Sequence, residues 1–299
     1  MSSTETIDPQ RLARAPDPDR KLRPIASLAP RLARPPHLRT RSFRYYSELL
    51  GADVLSPELS NALQDFRESS TGTVSGITRW SDHLDDMPSS YYLVASLRDD
   101  RLSRFLLLHY GHMANYMGRG TLTATEQLPI TADANGLARD YLWGYLEGGI
   151  DMCIPSVMLP AIATRWQLAL ERYDEDTIYL ARGAPRRWFA PGAGGFSVSN
   201  AATRFGLVSL KVQNAAADGG GEDGFASAVF TSWRGPMPGV TATPAFALRL
   251  RASDSALALV AASVTVSGTA TLTGVNVTSS TVFLSVARDG DFTVTAQFR

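Results

Sequence analysis

Glu126 is the residue whose position most favours chemistry. It lies within residues 119–127, a polar stretch with little helical periodicity that predicts a loop. Catalytic groups concentrate in loops that a rigid scaffold positions, and a carboxyl group there can donate or accept a proton. The structural alternative is that Glu126 caps a helix or forms an ion pair with an arginine.

Acid–base chemistry with carboxyl groups requires a second such group near the first. The candidate partners that follow Glu126 in the chain are Asp133, Asp140, Glu147 and Asp151. Sequence spacing cannot choose among them, because the required separation is spatial. Other reaction types find less support: there is no Gly-x-Ser-x-Gly elbow, no phosphate-binding loop and no dinucleotide fingerprint.

Two histidines form the other group with chemical potential. His109 and His112 are spaced i, i+3, which makes them neighbours on one face of a helix. A metal pair is one interpretation, but no third ligand is evident, so buried or hydrogen-bonded histidines are the preferred one. We therefore predict neither a metal site nor a cofactor.

Helices must position these residues, because the first half of the chain has helical periodicity. Ser56 and Pro57 predict a helix start, followed by an apolar face at Leu59, Leu63 and Phe66. Further helices are predicted from Pro88, after a cap at Asp99 or Asp100, over 137–146 and over 157–173. This gives about five or six helices joined by short connections, which favours antiparallel neighbours.

The second half of the chain alternates between apolar and polar residues, as strands do. Seven short strands are predicted, over residues 205–212, 225–233, 245–251, 263–266, 275–278, 282–287 and 292–298. Asp289-Gly290 suits a type I′ turn and predicts a hairpin between the last two. The acidic, glycine-rich residues 218–224 fit no calcium loop and are interpreted as a turn. The pattern predicts an antiparallel β-sandwich.

Four segments follow from these patterns. Residues 1–45 form a leader rich in Pro and Arg that we expect to be disordered. There are three alternatives for this leader: a targeting segment, a nucleic-acid-binding arm, or a segment that replaces the missing start of a longer domain. The helical part covers residues 46–178, a hinge covers 179–195, and the β-sandwich covers 196–299. Arginines flank the hinge, and we expect them to bind carboxylates or carbonyls across the domain interface rather than a ligand; they are Arg182, Arg186 and Arg187.

Composition limits the partners and the compartment. Lys and Arg number 29 and Asp and Glu also number 29, so no net charge attracts nucleic acid or an anionic membrane. Cys153 is the single cysteine, which excludes an intrachain disulfide. No apolar run is long enough for a transmembrane helix and no secretory signal is evident, so the cytoplasm is the default expectation.

Two segments near the hinge carry a resemblance to a known family. They are Tyr-Leu-Ala-Arg-Gly-Ala-Pro-Arg-Arg-Trp at residues 179–188 and Asn-Ala-Ala-Thr-Arg-Phe-Gly-Leu-Val-Ser at 200–209. Together with the loop at 119–127, they resemble the C-terminal part of bacterial glycoside-hydrolase-like proteins, in which a six-hairpin (α/α)6 toroid precedes a β-sandwich. The implied fold is α+β and multidomain, with a partial α/α toroid of helical hairpins followed by an antiparallel β-sandwich.

The helical part is short for a complete toroid. Twelve helices of about 12 residues with connections of about 6 need roughly 215 residues, and residues 46–178 hold about half of that. The resemblance therefore implies either a truncated protein or a half-toroid, whose open face a homodimer or another partner would cover.

The resemblance implies carbohydrate as the ligand, and no named substrate. The expected function is a glycoside-hydrolase-like protein acting on a polysaccharide or glycoside, with Glu126 as its catalytic carboxyl group. Residues expected to contact the sugar are His112, Tyr116, Thr121, Thr123, Gln127 and Trp143. The alternative is a non-catalytic carbohydrate-binding or interaction protein that has lost half of its site. Neither nucleic acid nor a membrane is expected as a partner.

Overall fold

The computed structural model describes residues 43–69, 72–74, 76–80, 83–115, 117, 122–124, 126–129, 153–190, 192–216 and 225–299. Across these residues the chain has an α+β fold with five α-helices and two large, mostly antiparallel sheets. The predicted leader lies outside the described residues except for residues 43–45. The predicted helix at 137–146 and most of the predicted turn at 218–224 also lie outside them.

The described helices all belong to the first part of the chain. Their bounds are α1 Phe43–Gly51, α2 Pro57–Ser69, α3 Met87–Arg98, α4 Leu102–Asn115 and α5 Ile154–Leu168. Helix α2 begins as the sequence predicts, because the backbone N–H of Leu59 lies 3.4 Å from Oγ of Ser56 and Ser56 O accepts the first helical hydrogen bond. No described helix combines the length and apolar character that crossing a membrane takes.

The turn between α3 and α4 differs from the prediction. Asp99 and Asp100 do not cap α4. The first backbone hydrogen bond of α4 is donated by the N–H of Phe105 to Arg101 O at 3.0 Å. Asp99 instead ends α3, where it forms an ion pair with Arg98. Asp100 has a φ of 60°, in the left-handed region. Its carboxylate faces away from α4 and binds Arg249 of the β part.

The helices pack around an apolar core that contains a buried polar network. The apolar part includes Tyr92, Leu93, Leu97, Phe105, Leu108 and Leu159. Beside it, Arg98 pairs with Asp53 at 2.8 Å and donates to Leu50 O at 2.9 Å. Because its charge and its donors are both matched, Arg98 can lie buried and hold α1 against α3.

A small sheet that the sequence did not predict lies beside the helices. It contains β1 Thr73–Val74, β2 Ile77–Trp80, β3 His83–Asp85 and β4 Gln127–Pro129, in that spatial order. Strands β3 and β4 are far apart in the chain and pair antiparallel, with Asp85 opposite Gln127. These strands are too short to show an alternating pattern in the sequence, so only the tertiary structure reveals them.

Two larger sheets form the β part. The first has the spatial order β12-β13-β10-β6-β5 and the second β11-β14-β9-β8-β7. The bounds in chain order are β5 Ala169–Glu171, β6 Thr177–Leu180, β7 Phe196–Thr203, β8 Gly206–Ala216, β9 Phe225–Arg234, β10 Ala245–Arg249, β11 Thr265–Gly268, β12 Ala270–Asn276, β13 Thr281–Val286 and β14 Gly290–Phe298. All described pairs in them are antiparallel except β6 with β10.

The two large sheets share one apolar core. Phe246 of the first sheet contacts Trp233 and Phe292 of the second, with ring centroids 6.4 and 5.4 Å apart. All three rings are almost fully buried. Burial of such rings dominates the stabilisation of a core and explains why the alternating strands of both sheets face each other.

The predicted hairpin at Asp289-Gly290 is wrong. Strand β13, before this turn, pairs with β10 and β12 in the first sheet, whereas β14, after it, pairs with β9 and β11 in the second. The turn therefore carries the chain from one sheet to the other. The dipeptide specifies a tight reversal locally, but side-chain burial decides which strands become partners.

The β part begins earlier in the chain than predicted. Helix α5 starts at Ile154 and ends at Leu168, not at residue 173, and β5 follows directly. The alternation of a strand places Ala169 in the core of the sheets and Leu170 in the helical core. The segment that we predicted as a hinge, 179–195, begins within β6 and contains the buried Phe189, so it is packed between the two parts.

Candidate functional site

Pairing of β3 with β4 brings Asp86 next to Glu126. The last pair in this antiparallel ladder is Asp85 with Gln127, so Asp86 and Glu126 are the next opposed residues. The backbone N–H of Asp86 donates to the carbonyl oxygen of Glu126 at 3.3 Å. The two residues are 40 positions apart in the sequence, and the ladder makes them neighbours in space.

Both residues line one cavity of about 440 Å³, which we call the Asp86 cavity. Its wall is formed by residues of α3 and α5, by the residues just before these helices and by the residue just before β4; they include Asp86, Ser90, Tyr91, Glu126, Cys153 and Leu159. Asp86 is only 4% exposed, whereas Glu126 is exposed. The cavity thus has one buried and one solvent-facing carboxyl group, and its size falls within the range of about 300–1,000 Å³ typical of ligand sites.

The buried carboxyl group of Asp86 has a strongly shifted pKa. Burial is the main cause and raises the pKa to about 6; a hydrogen bond with Ser156 opposes this shift, and the charge of Asp85 adds to it. A contact with Cys153 lowers the pKa, and the charge of Glu126 raises it. Oδ1 of Asp86 has no hydrogen-bond partner among the described residues. Asp86 can therefore hold a proton in weakly acidic solution.

The local structure keeps the Asp86 side chain available. Asp86 immediately precedes α3, but its carboxylate makes no capping hydrogen bond. That task falls to Asp85, whose Oδ1 accepts the backbone N–H of Met87 at 3.0 Å. Because Asp85 serves the turn, the carboxyl group of Asp86 is left to face the cavity.

Cys153 lies against Asp86, with Sγ 3.6 Å from Oδ2. Burial raises the pKa of the Cys153 thiol, a backbone hydrogen bond with Ser156 opposes the shift, and the negative charges of Asp86 and Glu126 add to it. Only a thiolate is a strong nucleophile, and this environment disfavours the thiolate. Cys153 is therefore a thiol donor to Asp86 and not an activated nucleophile.

His112 is not among the residues that line the Asp86 cavity, and its predicted contact with a sugar stays a prediction. The ring is 1% exposed, and its Nε2 lies 3.0 Å from the backbone oxygen of Ser156 in the first turn of α5. Since a backbone oxygen only accepts, Nε2 carries the proton in this contact. His112 thus holds the turn that presents Ser156 to Asp86.

The two histidines are buried, and burial dominates the pKa of each. Burial lowers the pKa of His109 to about 4. Burial also lowers the pKa of His112 to about 4; the hydrogen bond that His112 donates to the backbone oxygen of Ser156 opposes this shift, and the charge of His109 adds to it. Nε2 of His109 lies 3.4 Å from Oγ1 of Thr164. Within the described ranges, no three metal-ligating side chains come together.

The structure describes only some of the remaining predicted site residues. Gln127 opens β4 directly after Glu126, and Thr123 is half-buried just before Ala124, whose carbonyl accepts the backbone N–H of Cys153 at 3.0 Å. Several predicted residues lie outside the described part of the chain: Tyr116, Thr121 and Trp143, and the proposed partner carboxyls Asp133, Asp140, Glu147 and Asp151.

Asp86 is the residue that sequence reasoning missed. The available signal was the pair Asp85-Asp86 directly before Met87-Pro88, where a helix begins. Two acids at a helix start predict a cap and a favourable contact with the helix dipole. Both carboxyl groups therefore have a structural explanation in the sequence, and neither is singled out as a candidate site residue. Only the pairing with Glu126 distinguishes the two acids.

Comparison with known proteins does not add a family. No protein-family model matches the sequence, and no curated protein matches it either. Function is therefore inferred from the chemistry of the Asp86 cavity.

Proposed function

We propose that this chain is a glycoside-hydrolase-like protein that acts on a polysaccharide or glycoside at the Asp86 cavity. The observation that supports it most is the buried Asp86, with its pKa raised to about 6, beside the exposed Glu126. Glycoside hydrolysis uses such a pair, in which one carboxyl group is protonated and the other is a carboxylate. Asp86 would be the general acid and Glu126 the base or nucleophile.

The proposed reaction gives each group a definite task. Asp86 donates its proton to the oxygen of the departing sugar, and Glu126 either deprotonates the attacking water or attacks the anomeric carbon itself. Opposed residues of an antiparallel pair have Cβ atoms about 4.5–5.5 Å apart. From that spacing, flexible carboxyl groups can reach the separation of about 5–5.5 Å of retaining enzymes or about 6.5–9.5 Å of inverting ones.

The wall of the cavity suits a sugar ring. Tyr91 offers an aromatic face of the kind that packs on the apolar side of a pyranose, and Ser90 adds a hydroxyl group. Thr123 and Gln127 flank Glu126 in the chain, so we keep them as proposed sugar contacts. His112 is proposed to act through Ser156, because its ring is buried behind the cavity.

A partial α/α toroid remains our proposal for the helical part, and a second copy of the chain is the proposed cover of its open face. Helix α5 carries exposed apolar side chains at Ile154, Met158 and Ile162, spaced i, i+4, i+8. Its one charged residue, Arg165, already pairs with Glu171 at 2.5 Å. A neutral apolar stripe is self-complementary, as an isologous dimer requires. Sedimentation of wild type against Met158→Lys tests this: a monomeric wild type would contradict it.

Carbohydrate binding without turnover is the alternative function. A neutral, buried Asp86 can donate a hydrogen bond to a sugar hydroxyl group just as it can donate a proton. Cavity and aromatic wall serve binding equally well. The two functions differ only in whether Glu126 is needed after the sugar is bound.

The deciding experiment compares wild type with Glu126→Gln, Asp86→Asn and the control Glu48→Gln. Glu48 is an exposed acid on α1, away from the cavity lining. Each protein is screened against a glycan array and a panel of aryl glycosides, with sugar release measured between pH 4 and 8. We expect wild type and Glu48→Gln to release sugar, with a decline above pH about 6, and both cavity variants to lose at least about 100-fold.

The other outcomes separate the alternatives. Binding by wild type and Glu126→Gln alike, without release by either, would assign carbohydrate binding alone. Equal turnover by wild type and both cavity variants would exclude the Asp86 cavity as the site of reaction.

A further inference from the structure

A second cavity, rich in arginine, lies where the helical part meets the β part. Its volume is about 960 Å³, and we call it the arginine cavity. The charged residues that line it are Glu68, Asp100, Arg101, Arg104, Arg186 and Arg251. Four cations and two anions therefore face one space, and the ion pairs among them show which charges are already matched.

Two of the four arginines are matched by carboxylates of α2. Arg104 binds Glu68 through Nε at 2.5 Å and through Nη2 at 3.0 Å, and it also reaches Asp65 at 2.5 Å. Arg101 binds Asp65 at 3.0 Å. These two arginines form the rim on the α4 side and occupy the two carboxylates of α2 that lie there, Asp65 and Glu68.

The carboxylate of Asp100 already has an arginine partner. Both of its carboxylate oxygens accept from Arg249, a residue of β10 that is 6% exposed, and Nη2 of Arg249 lies 2.9 Å from Oδ2. This two-point contact is the strongest that arginine and a carboxylate make. Asp100 thus neutralises Arg249 and is not available to Arg186 or Arg251.

Arg186 and Arg251 remain without a carboxylate among the described residues. Nη1 of Arg186 donates to Ala252 O at 3.0 Å, and Nη2 of Arg251 donates to Arg182 O at 3.3 Å. Nε of Arg251 is buried and has no partner within the described part. Backbone oxygens satisfy hydrogen bonds but do not neutralise charge, so neither guanidinium has an ion-pair partner among the described residues, although the charge of Asp100 acts on Arg251 from a greater distance.

Burial and like charges oppose this arrangement. Burial and, to a smaller extent, the charges of Arg249 and Arg186 lower the pKa of Arg251 to about 9, against the charge of Asp100, which raises it. The charge of the nearby Arg182 is balanced in a different way. Arg182 donates to Leu97 O at 2.6 Å and to Arg98 O at 2.7 Å, at the C-terminal end of α3. The negative end of a helix dipole balances a cation there. The acceptors of Arg186 and Arg251, Ala252 O and Arg182 O, do not belong to a helix end.

The arginine cavity is separate from the Asp86 cavity. Helix α3 connects them, with Asp86 just before its first residue and Asp100 two residues after its last. A helix of 12 residues is about 18 Å long. A ligand in the arginine cavity would therefore not reach the carboxyl pair unless it were an extended chain.

We propose that the arginine cavity binds the anionic group of a small ligand, a carboxylate or a phosphate, between Arg186 and Arg251. Guanidinium groups present paired N–H donors that match the oxygens of either anion. A bound anion would supply the negatively charged partner that Arg251 lacks. A sugar acid and a sugar phosphate both carry such a group. This proposal stands on the ion pairs of the cavity and does not require the proposed hydrolase activity.

The test is titration calorimetry of the purified chain with sodium phosphate and, separately, with sodium glucuronate. Ionic strength is held constant with chloride, so that a specific site is distinguished from screening. The variants are Arg186→Ala and Arg251→Gln, with Arg251→Lys to retain charge where Arg251→Gln fails to fold. Arg187→Ala is the matched control, since Arg187 is an equally exposed neighbour of Arg186 that lines a different cavity.

We expect saturable binding of one or both anions, weakened about tenfold or more in Arg186→Ala and in either Arg251 variant and unchanged in Arg187→Ala. Binding of phosphate alone or of glucuronate alone would identify which group the site selects. Absence of saturable binding of both anions up to about 10 mM would overturn the proposal. Equal binding by Arg186→Ala and Arg187→Ala would overturn it as well.

Discussion

The backbone N–H of Asp86 and the carbonyl oxygen of Glu126 are joined by a hydrogen bond of 3.3 Å. This bond continues the β3–β4 ladder by one residue and sets a buried carboxyl group beside an exposed one. Burial is the main cause of the raised pKa of Asp86, and the charge of the neighbouring Glu126 adds to it. The stability of the fold and the chemistry of the cavity are therefore coupled through one residue.

Replacement of Asp86 by Asn is expected to stabilise the protein at pH 7.5. The pKa of Asp86 is raised from 3.8 to about 6, so the folded state resists ionisation of this group. The resulting penalty is absent below pH 3.8, grows as the pH rises and is fully present above about 6. Asn removes the charge with the same shape, and we expect a gain of about 1–3 kcal/mol at pH 7.5 in urea unfolding.

The same variant should gain nothing at pH 3.5, where Asp86 of the wild type is already protonated. The control is Asp65→Asn, because the hydrogen bond from Arg104 lowers the pKa of Asp65, against a smaller opposite effect of burial. That variant should lose stability at pH 7.5, the opposite sign. Destabilisation by Asp86→Asn at pH 7.5 would contradict the assignment of Asp86 as a penalised acid.

His112 is expected to make the fold sensitive to acid. Its pKa is lowered from 6.5 to about 4 by burial, so its contribution to stability is fully present above pH 6.5 and is lost as the pH falls toward 4. Gln in place of His112 retains a donor for Ser156 O but does not titrate. We expect the difference in unfolding free energy between wild type and His112→Gln to shrink by about 1–3 kcal/mol from pH 7 to pH 4.

Comparison with the variant removes a complication in this measurement. Asp86 changes stability in the opposite direction over the same pH range, but it is present in both proteins and cancels in the difference. His109→Gln is the parallel control, because burial lowers the pKa of His109 to about 4 as well. A constant difference between wild type and both variants across pH would show that neither histidine titrates below its ordinary value.

Local features of the fold were predictable from the sequence. The cap at Ser56 uses only the backbone of the next residues, and the contact of Leu59 N with Oγ of Ser56 confirms it. The division into a helical and a strand part was also predictable, because the apolar period changes from 3.6 to 2. The observed β8, β9 and β14 cover most of three predicted strands.

Features that depend on distant partners could not be predicted. Asp289-Gly290 specifies a reversal, but the burial of Phe246 against Phe292 sends the two flanking strands to different sheets. Likewise, Glu126 was identifiable from its loop, whereas its neighbour Asp86 was not. Their contact arises from a ladder between two strands of three residues each, too short to leave a pattern.

Replacement of Gly51 by Ala is expected to disturb the Asp86 cavity from a distance. A Cβ at this position would lie 2.2 Å from Cδ1 of Tyr91, so the ring that lines the cavity must move. We expect a loss of about 1–3 kcal/mol in unfolding free energy and weaker sugar binding. The control is Gly274→Ala, whose nearest neighbour is 3.7 Å away. Equal stability of the two variants would show that α1 and α3 are free to separate.

The contact between Asp100 and Arg249 is expected to couple the helical part to the β part. Arg249 is buried, and the carboxylate of Asp100 neutralises it from the turn after α3. Asn is tolerated at the left-handed φ of Asp100, so Asp100→Asn removes the charge without adding backbone strain. Because a buried cation is then left without its anion, we expect a loss of about 2–4 kcal/mol in urea unfolding.

Coupling of the helical part to the β part also predicts the form of the unfolding transition. Wild type should unfold in one step when followed by far-ultraviolet circular dichroism and by tryptophan fluorescence, whereas Asp100→Asn should bring the two curves apart, since the helices lose a link to the sheets. The control is Asp291→Asn, which removes an exposed ion pair with Arg234 within the β part and should leave both curves unchanged. Identical curves for the two variants would mean that other contacts, such as those of Arg182 with α3, are sufficient to hold the parts together.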